Sequence, residues 1–234
     1  MNSVVLVSAG SEWGTVRRIL NPGVVQASPY GETFLHPVGS HRVRFFHAGW
    51  GKAASAGGMQ YVCDHYTPDL VFNLGTCGGF EGLVGQGEVI LVERAFMYDI
   101  VELMGEFGSV PAYYATELDL GWLPSDLPHP VRRAAIASAD SDLQPERIPG
   151  LEAAGAVAAD WESAALAWVA RRNGVRLLIL RAVSDLVGPG GGEAYGNHAL
   201  YRQRTGDIMR KLLGQLPGWL EAVRDQGGSG IPRA

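Results

Sequence analysis

Glu12, Glu162 and Asp185 are the residues of this chain best placed for acid–base work, each lying just beyond an element rich in apolar residues. A carboxylate at the mouth of a cleft, partly desolvated, acts as a general base; one buried deeply enough to keep its proton acts as a general acid. Each also has a plainer reading. Glu12 falls in the first turn of a helix, where it complements the helix dipole. Glu162, in Asp160-Trp161-Glu162-Ser163, is either a helix-start acid with Asp160 as N-cap or a carboxylate able to accept two hydroxyls of a sugar. Asp185 ends the most apolar strand and is either a cap for the next turn or a buried acid.

A fourth segment, Gly75-Thr76-Cys77-Gly78-Gly79, follows another apolar strand. Its glycines allow a ligand to approach the backbone closely or simply make a tight turn, and Thr76 adds a hydroxyl. The segment is neither a dinucleotide fingerprint nor a phosphate-binding loop, since it lacks G-x-G-x-x-G and no Gly-Lys-Ser/Thr follows. His47 after its strand reads as a satisfied structural residue. Cys77 has no paired histidine and reads as packing. Of the six tryptophans, most fall in the core by spacing, while Trp13 and Trp50 flank turns. No cluster has metal-ligand spacing, so neither metal nor cofactor is expected.

These residues need a frame that brings strand ends together. Val4–Val7, Val43–His47, 69–74, Glu88–Val92, 134–139 and Leu177–Val183 read as short apolar strands. Helices are expected from near Glu12 with Ser11 as N-cap, over Ala53–Tyr66, over the stripe Trp161, Ala164, Ala165, Trp168 and Val169, and over Leu200–Val223. Residues 97–130 carry several prolines and read as loops with a short helix. Gly188–Gly192 reads as a mobile loop. Continuous apolar strands alternating with helices indicate an α/β domain with a sheet covered on both faces, and ligands in such sheets bind at strand C-termini.

At 234 residues without an internal linker, the chain reads as one domain over 1–226 with a flexible tail at 227–234. A net charge of −5 argues against nucleic-acid and anionic-membrane surfaces, which need clustered positive charge. Apolar segments are too short for a signal peptide or a membrane span. With two cysteines only, a cytoplasmic protein without a disulfide framework is expected.

Five stretches, in order, resemble the nucleoside phosphorylase/nucleosidase superfamily, and within it the 5′-methylthioadenosine/S-adenosylhomocysteine nucleosidases. They are Gly49-Trp50-Gly51-Lys52 with its small-residue helix; residues 68–79; Val84-Gly85-Gln86-Gly87-Glu88-Val89; Asp160-Trp161-Glu162-Ser163-Ala164-Ala165; and Arg181-Ala182-Val183-Ser184-Asp185. The resemblance implies a three-layer α/β/α sandwich around a mixed central sheet, and a homodimer acting on a purine nucleoside. Glu12 resembles the acid that activates the attacking water, and Asp185 the acid that protonates the purine at N7. Glu162 resembles the ribose-binding Glu, with Trp161 in place of the usual Met. Thr76, Cys77 and Gly78 stand where a Ser-containing loop approaches ribose and purine.

The same resemblance separates hydrolysis from phosphorolysis. Phosphate needs fixed cationic donors. Asn73 stands where hexameric phosphorylases carry an Arg, and Glu12 stands in the region of their Arg-containing loop; both favour water. The Asp at 185 favours a 6-amino purine. Two departures bear on the substrate. Asp142, followed by Leu143, takes the position of an aromatic that stacks on adenine, with Trp161 a candidate to compensate. Trp50 replaces a smaller residue near the 5′ group. The 97–115 segment, with Met97, Met104, Phe107 and Tyr113, is where a 5′ pocket would be completed by a neighbouring subunit.

Overall fold

The computed structural model describes residues 1–104 and 112–224. Its strands form one mixed sheet. Strand β1 (Ser3–Val7) lies parallel to β4 (His41–His47), which forms a hairpin with β3 (Glu32–Val38), and the two-residue β2 (Gln26–Ala27) ends that side. On its other side β1 pairs in parallel with β5 (Leu70–Phe80). The remaining pairings close on themselves. Strand β10 (Arg176–Gly188) runs parallel to β5 and antiparallel to β6 (Val89–Met97). β6 runs parallel to β8 (Arg132–Ser138), β8 to β9 (Ala156–Asp160), and β9 returns antiparallel to β5. β7 (Ala115–Glu117) adds to β6, and β11 (Gly191–Gly192) folds back on the end of β10.

Residues alternate across the strands with period two. Val4, Leu6 and Ile179 face one core, under α2 (Gly51–Tyr66) and α4 (Ser163–Arg172). Val5, Val7, Leu178 and Leu180 face the other, under α1 (Gly10–Leu20) and the long α5 (His198–Arg224). A six-residue α3 (Ile148–Ala153) leads into β9. This is the three-layer α/β/α arrangement expected.

Strand β5 positions the site. β1 and β9 share one of its edges, β1 along Leu70–Asn73 and β9 at Gly78 and Gly79. Among the described residues no strand pairs on that edge between them, and there the cavity opens. The glycine run is thus not a turn after a strand, as its composition suggests, but the second half of the strand itself. Pairing to β10 on one edge and β9 on the other outweighs the low strand propensity of glycine. The glycines are needed for close approach: a Cβ at Gly75 would sit 2.1 Å from Arg181 Nη1 and 2.9 Å from Glu12 Oε1.

Other boundaries shift for identifiable reasons. The N-cap position of α1 is Ala9, not Ser11, and the Glu12 carboxylate accepts the Ala9 N–H at 3.3 Å. α4 begins at Ser163 rather than Trp161, because Asp160 and Trp161 are still leaving β9. Ala164, Ala165 and Val169 face the core as the stripe predicts, whereas Trp161 precedes the helix and faces the cavity. Trp13 is buried rather than exceptional: it stacks on His47 and donates its indole N–H to Glu32 at 2.8 Å. Gly191 and Gly192 pair with Gly188 and Val187. Met97 is core, and neither Met104 nor Tyr113 lines the cavity. Phe107 and the 227–234 tail lie outside the described residues.

Candidate active site

The gap on the β5 edge leads into a cavity of about 560 Å³ at the ends of β1, β5, β9 and β10. α1 brings Glu12 to its floor. The Glu12 carboxylate accepts the Thr76 N–H at 2.6 Å and the Thr76 hydroxyl at 2.9 Å, both through Oε1. A backbone donor that would otherwise stay unpaired between β1 and β9 therefore fixes an acid instead. The same residue serves both readings of the sequence, capping its helix and facing the cavity.

Glu162, between β9 and α4, is buried and accepts the Gly51 N–H at 3.1 Å. Gly51 holds φ +83°, a conformation that favours glycine, and this turns its N–H toward the carboxylate. Asp185 sits where the β5–β10 register shifts between Val183 and Asp185. That irregularity lets Ser184 donate to Asp185 Oδ1 at 2.7 Å and holds the carboxyl at the cavity wall. Thr76, Cys77 and Gly78 of β5 complete the floor, Asp142 and Leu143 the wall after β8, and Trp50 and Trp161 the mouth. Apart from the 97–115 residues expected to complete the 5′ pocket, each position singled out in the sequence as catalytic or substrate-binding lines this one cavity. His47 does not; it bonds the Ser8 carbonyl at 3.0 Å.

A residue the sequence reading left without a role underlies the site. Arg181, in the middle of apolar β10, is 1% exposed. Its Nε lies 2.9 Å from Asp160 Oδ2 and donates to Ser163 Oγ at 3.1 Å, and its Nη2 lies 3.5 Å from Glu162 Oε2. A buried charge persists only with partners. An arginine inside an otherwise apolar strand was itself the signal that acids surround it.

The electrostatics follow from burial. Desolvation raises the Glu12 carboxyl above the ordinary range, against the pull of Arg181 and the Thr76 hydrogen bonds. Glu162 is raised in the same way, again by desolvation against Arg181. Asp185 is raised by desolvation, against the Ser184 hydrogen bond and Arg204. Burial likewise pushes up the Cys77 thiol, which suits packing rather than nucleophilic attack.

Sequence reasoning also missed Tyr98, Tyr195 and Tyr201, which line the cavity from segments with no periodic signal of their own or from α5. Tyr195 donates its phenol to the Leu143 carbonyl at 2.6 Å. The two tyrosines Tyr98 and Tyr195 stand at the Asp142–Leu143 wall, so aromatic surface is present there although residue 142 is acidic. Trp161 lines the cavity as well. Its ring pairs with Trp50, centroids 5.0 Å apart. Among the described residues the cavity lining holds Glu12, Asp142, Asp160, Glu162 and Asp185 and no lysine or arginine, and no group of side chains is arranged to hold a metal ion.

A sequence model of the phosphorylase superfamily matches residues 5–213. A 5′-methylthioadenosine/S-adenosylhomocysteine nucleosidase of Maridesulfovibrio salexigens is 27% identical over 184 residues, covering 73% of this chain and 79% of the relative. One from Bacillus subtilis is 29% identical over 154 residues, covering 60% and 67%. Among solved structures, Streptococcus pneumoniae MTA/SAH nucleosidase with 8-aminoadenine superposes with a TM-score of 0.75 at 19% identity, over 95% of this chain and 100% of that one. Arabidopsis thaliana 5′-methylthioadenosine nucleosidase gives 0.75 at 20% identity, over 98% of each. The partly closed mixed sheet, the acids gathered at its strand ends and a match over nearly the whole length agree, and the chain belongs to the phosphorylase superfamily.

Proposed function

We propose that the chain is an N-glycosyl hydrolase that cleaves 5′-modified adenine nucleosides, of the 5′-methylthioadenosine and S-adenosylhomocysteine type, to adenine and the free sugar. The observation that carries this reading is the convergence of three buried acids, Glu12, Glu162 and Asp185, on one cavity whose described lining holds no lysine or arginine. Phosphate as nucleophile would meet carboxylates where it needs cations. Water meets a base.

Breaking an N-glycosidic bond builds positive charge on the sugar and negative charge on the leaving purine. Asp185, whose proton burial holds more tightly than water would, gives it to N7 as the bond stretches. Glu162 takes the ribose hydroxyls, and with Glu12 it stabilises the cationic sugar. Glu12, aligned by Thr76, removes a proton from the attacking water. The oxygen bonds to the anomeric carbon as the C–N bond breaks, and adenine leaves protonated on N7. The Leu143 backbone and the rings of Tyr98 and Tyr195 receive the base, while Trp50 and Trp161 flank the 5′ substituent. Both indoles adjoin the ribose site, since Trp161 precedes Glu162 and Trp50 precedes Gly51.

The protein acts as a homodimer in the cytoplasm in this reading. Trp50 is 67% exposed at the mouth, and Val101, Leu103 and Met104 are exposed apolar residues after β6, which supports cover by a second copy. Both cysteines are free, and no helix among the described residues is long and apolar enough to cross a membrane.

The deciding experiment follows adenine and sugar products from 5′-methylthioadenosine with and without phosphate. Adenine and free 5-methylthioribose in phosphate-free buffer are expected. Release only with phosphate would overturn the reading in favour of a phosphorylase.

A further inference from the structure

Lys52 has no part in the chemistry above, yet it ties together the segments that carry it. Its backbone N–H donates to Asp140 Oδ1 at 2.8 Å. Its ammonium contacts Asp99 and lies 3.7 Å from Asp140 Oδ2. Asp99 in turn accepts the Asp140 N–H through Oδ2 at 2.9 Å. The knot therefore joins the start of α2, the segment after β6 and the segment after β8. Every member adjoins a wall of the cavity: Trp50 and Gly51 precede Lys52, Tyr98 precedes Asp99, and Ser141, Asp142 and Leu143 follow Asp140. Gly51 itself holds Glu162, and a Cβ there would lie 2.8 Å from Asp140 Oδ1, so the Glu162 anchor and the knot touch.

We propose that Lys52 is a positioning residue for nucleoside binding, its ammonium drawing Asp99 and Asp140 together so that the ribose carboxylate and the purine wall hold one spacing. Without the ammonium the ionic link among the three segments is lost, leaving only the backbone hydrogen bonds of Lys52 and Asp140 to join them. A surface ion pair contributes little to global stability. The Lys52 side chain is only 14% exposed, however, and what it fixes is the spacing of the binding walls, to which affinity is more sensitive than stability is. A point charge with three rotatable donors suits two acids on different segments better than the planar arginine fork.

The inference rests on the purine-nucleoside reading, and its test separates the two. Lys52→Met and Asp99→Asn, singly and together, are compared with the wild-type chain for kcat and KM on 5′-methylthioadenosine, for adenine affinity by calorimetry, and for thermal midpoint. Each single variant is expected to raise KM and weaken adenine roughly tenfold, with kcat within about threefold and the midpoint little changed; the double variant should match the singles, because one tether is lost once. Unchanged KM and adenine affinity, a loss that merely tracks a lowered midpoint, or additive effects would overturn it. If the wild-type chain releases no adenine but binds it, the hydrolase reading fails while the adenine measurements still decide the role of Lys52.

Discussion

At Glu12, function and stability pull in opposite directions. Its folded pKa is raised, so the folded chain holds that proton more tightly than the unfolded chain does. Between the ordinary carboxylate pKa and the raised folded value, stability therefore falls as pH rises. Glu12→Gln removes that cost while keeping an oxygen for the Thr76 donors. The expected result is a higher thermal midpoint at neutral pH, nucleoside binding retained, and turnover lowered on the order of 10²–10⁴-fold. A variant both active and less stable would contradict the assignment. Asp185 is also raised, but its proposed task as acid needs the protonated form. The kcat/KM profile should be bell-shaped, falling at low pH as the base is protonated and at high pH as Asp185 loses its proton. Asp185→Asn should lower turnover by a similar order and remove the alkaline fall from any residual activity. Initial rates across a pH series test both statements.

At the scale of elements, β5 bears most of the demand. It pairs with three strands, and its glycines admit Arg181 beneath the acids. Gly75→Ala forces a methyl group against the Arg181 guanidinium and should destabilise the protein by about 1–3 kcal/mol, with activity falling as the Glu12–Thr76 geometry shifts. Chemical denaturation read beside turnover measures both; a neutral outcome would mean that the Arg181 side chain relocates freely. The same strand shows where reading a sequence stops. Leu70–Leu74 was legible from its apolar run, but Gly75–Gly79 carries turn composition and becomes strand only through neighbours distant in sequence. β9 was missed for a related reason: Ala156-Val157-Ala158-Ala159 has little strand propensity and gains its form from β8 and β5. Strand β3 contains Pro37, which argues locally against a strand. The three acids, by contrast, were legible because each borders an apolar element, and burial of those elements carries them to one place. Tyr98 and Tyr195 were not, since tertiary packing alone decides where their segments run.

For the whole molecule, the sign of the cavity decides what enters. Five acids and, among the described residues, no lysine or arginine line it, and Arg181 beneath them is buried and already paired. Adenosine 5′-phosphate should therefore be a far poorer substrate than 5′-methylthioadenosine, and inorganic phosphate should leave the rate unchanged apart from ionic strength. Competition assays with the 5′-phosphate check the first, and comparable binding of the two would show that the acids do not govern selection. Light scattering tests the homodimer, whose expected contact covers Trp50 and the apolar residues after β6.

The acidic floor has a further consequence, for the direction in which matter flows. Phosphorolysis conserves the energy of the glycosidic bond in a sugar phosphate and runs readily backward. A site that admits only water discards that energy, and the abundance of solvent holds the reaction on the product side. In the proposed mechanism, Glu12 and its neighbouring acids leave phosphate no cation to bind, and the purine leaves by a one-way exit rather than a reversible exchange. Recovery of adenine and sugar then falls to other, energy-consuming steps.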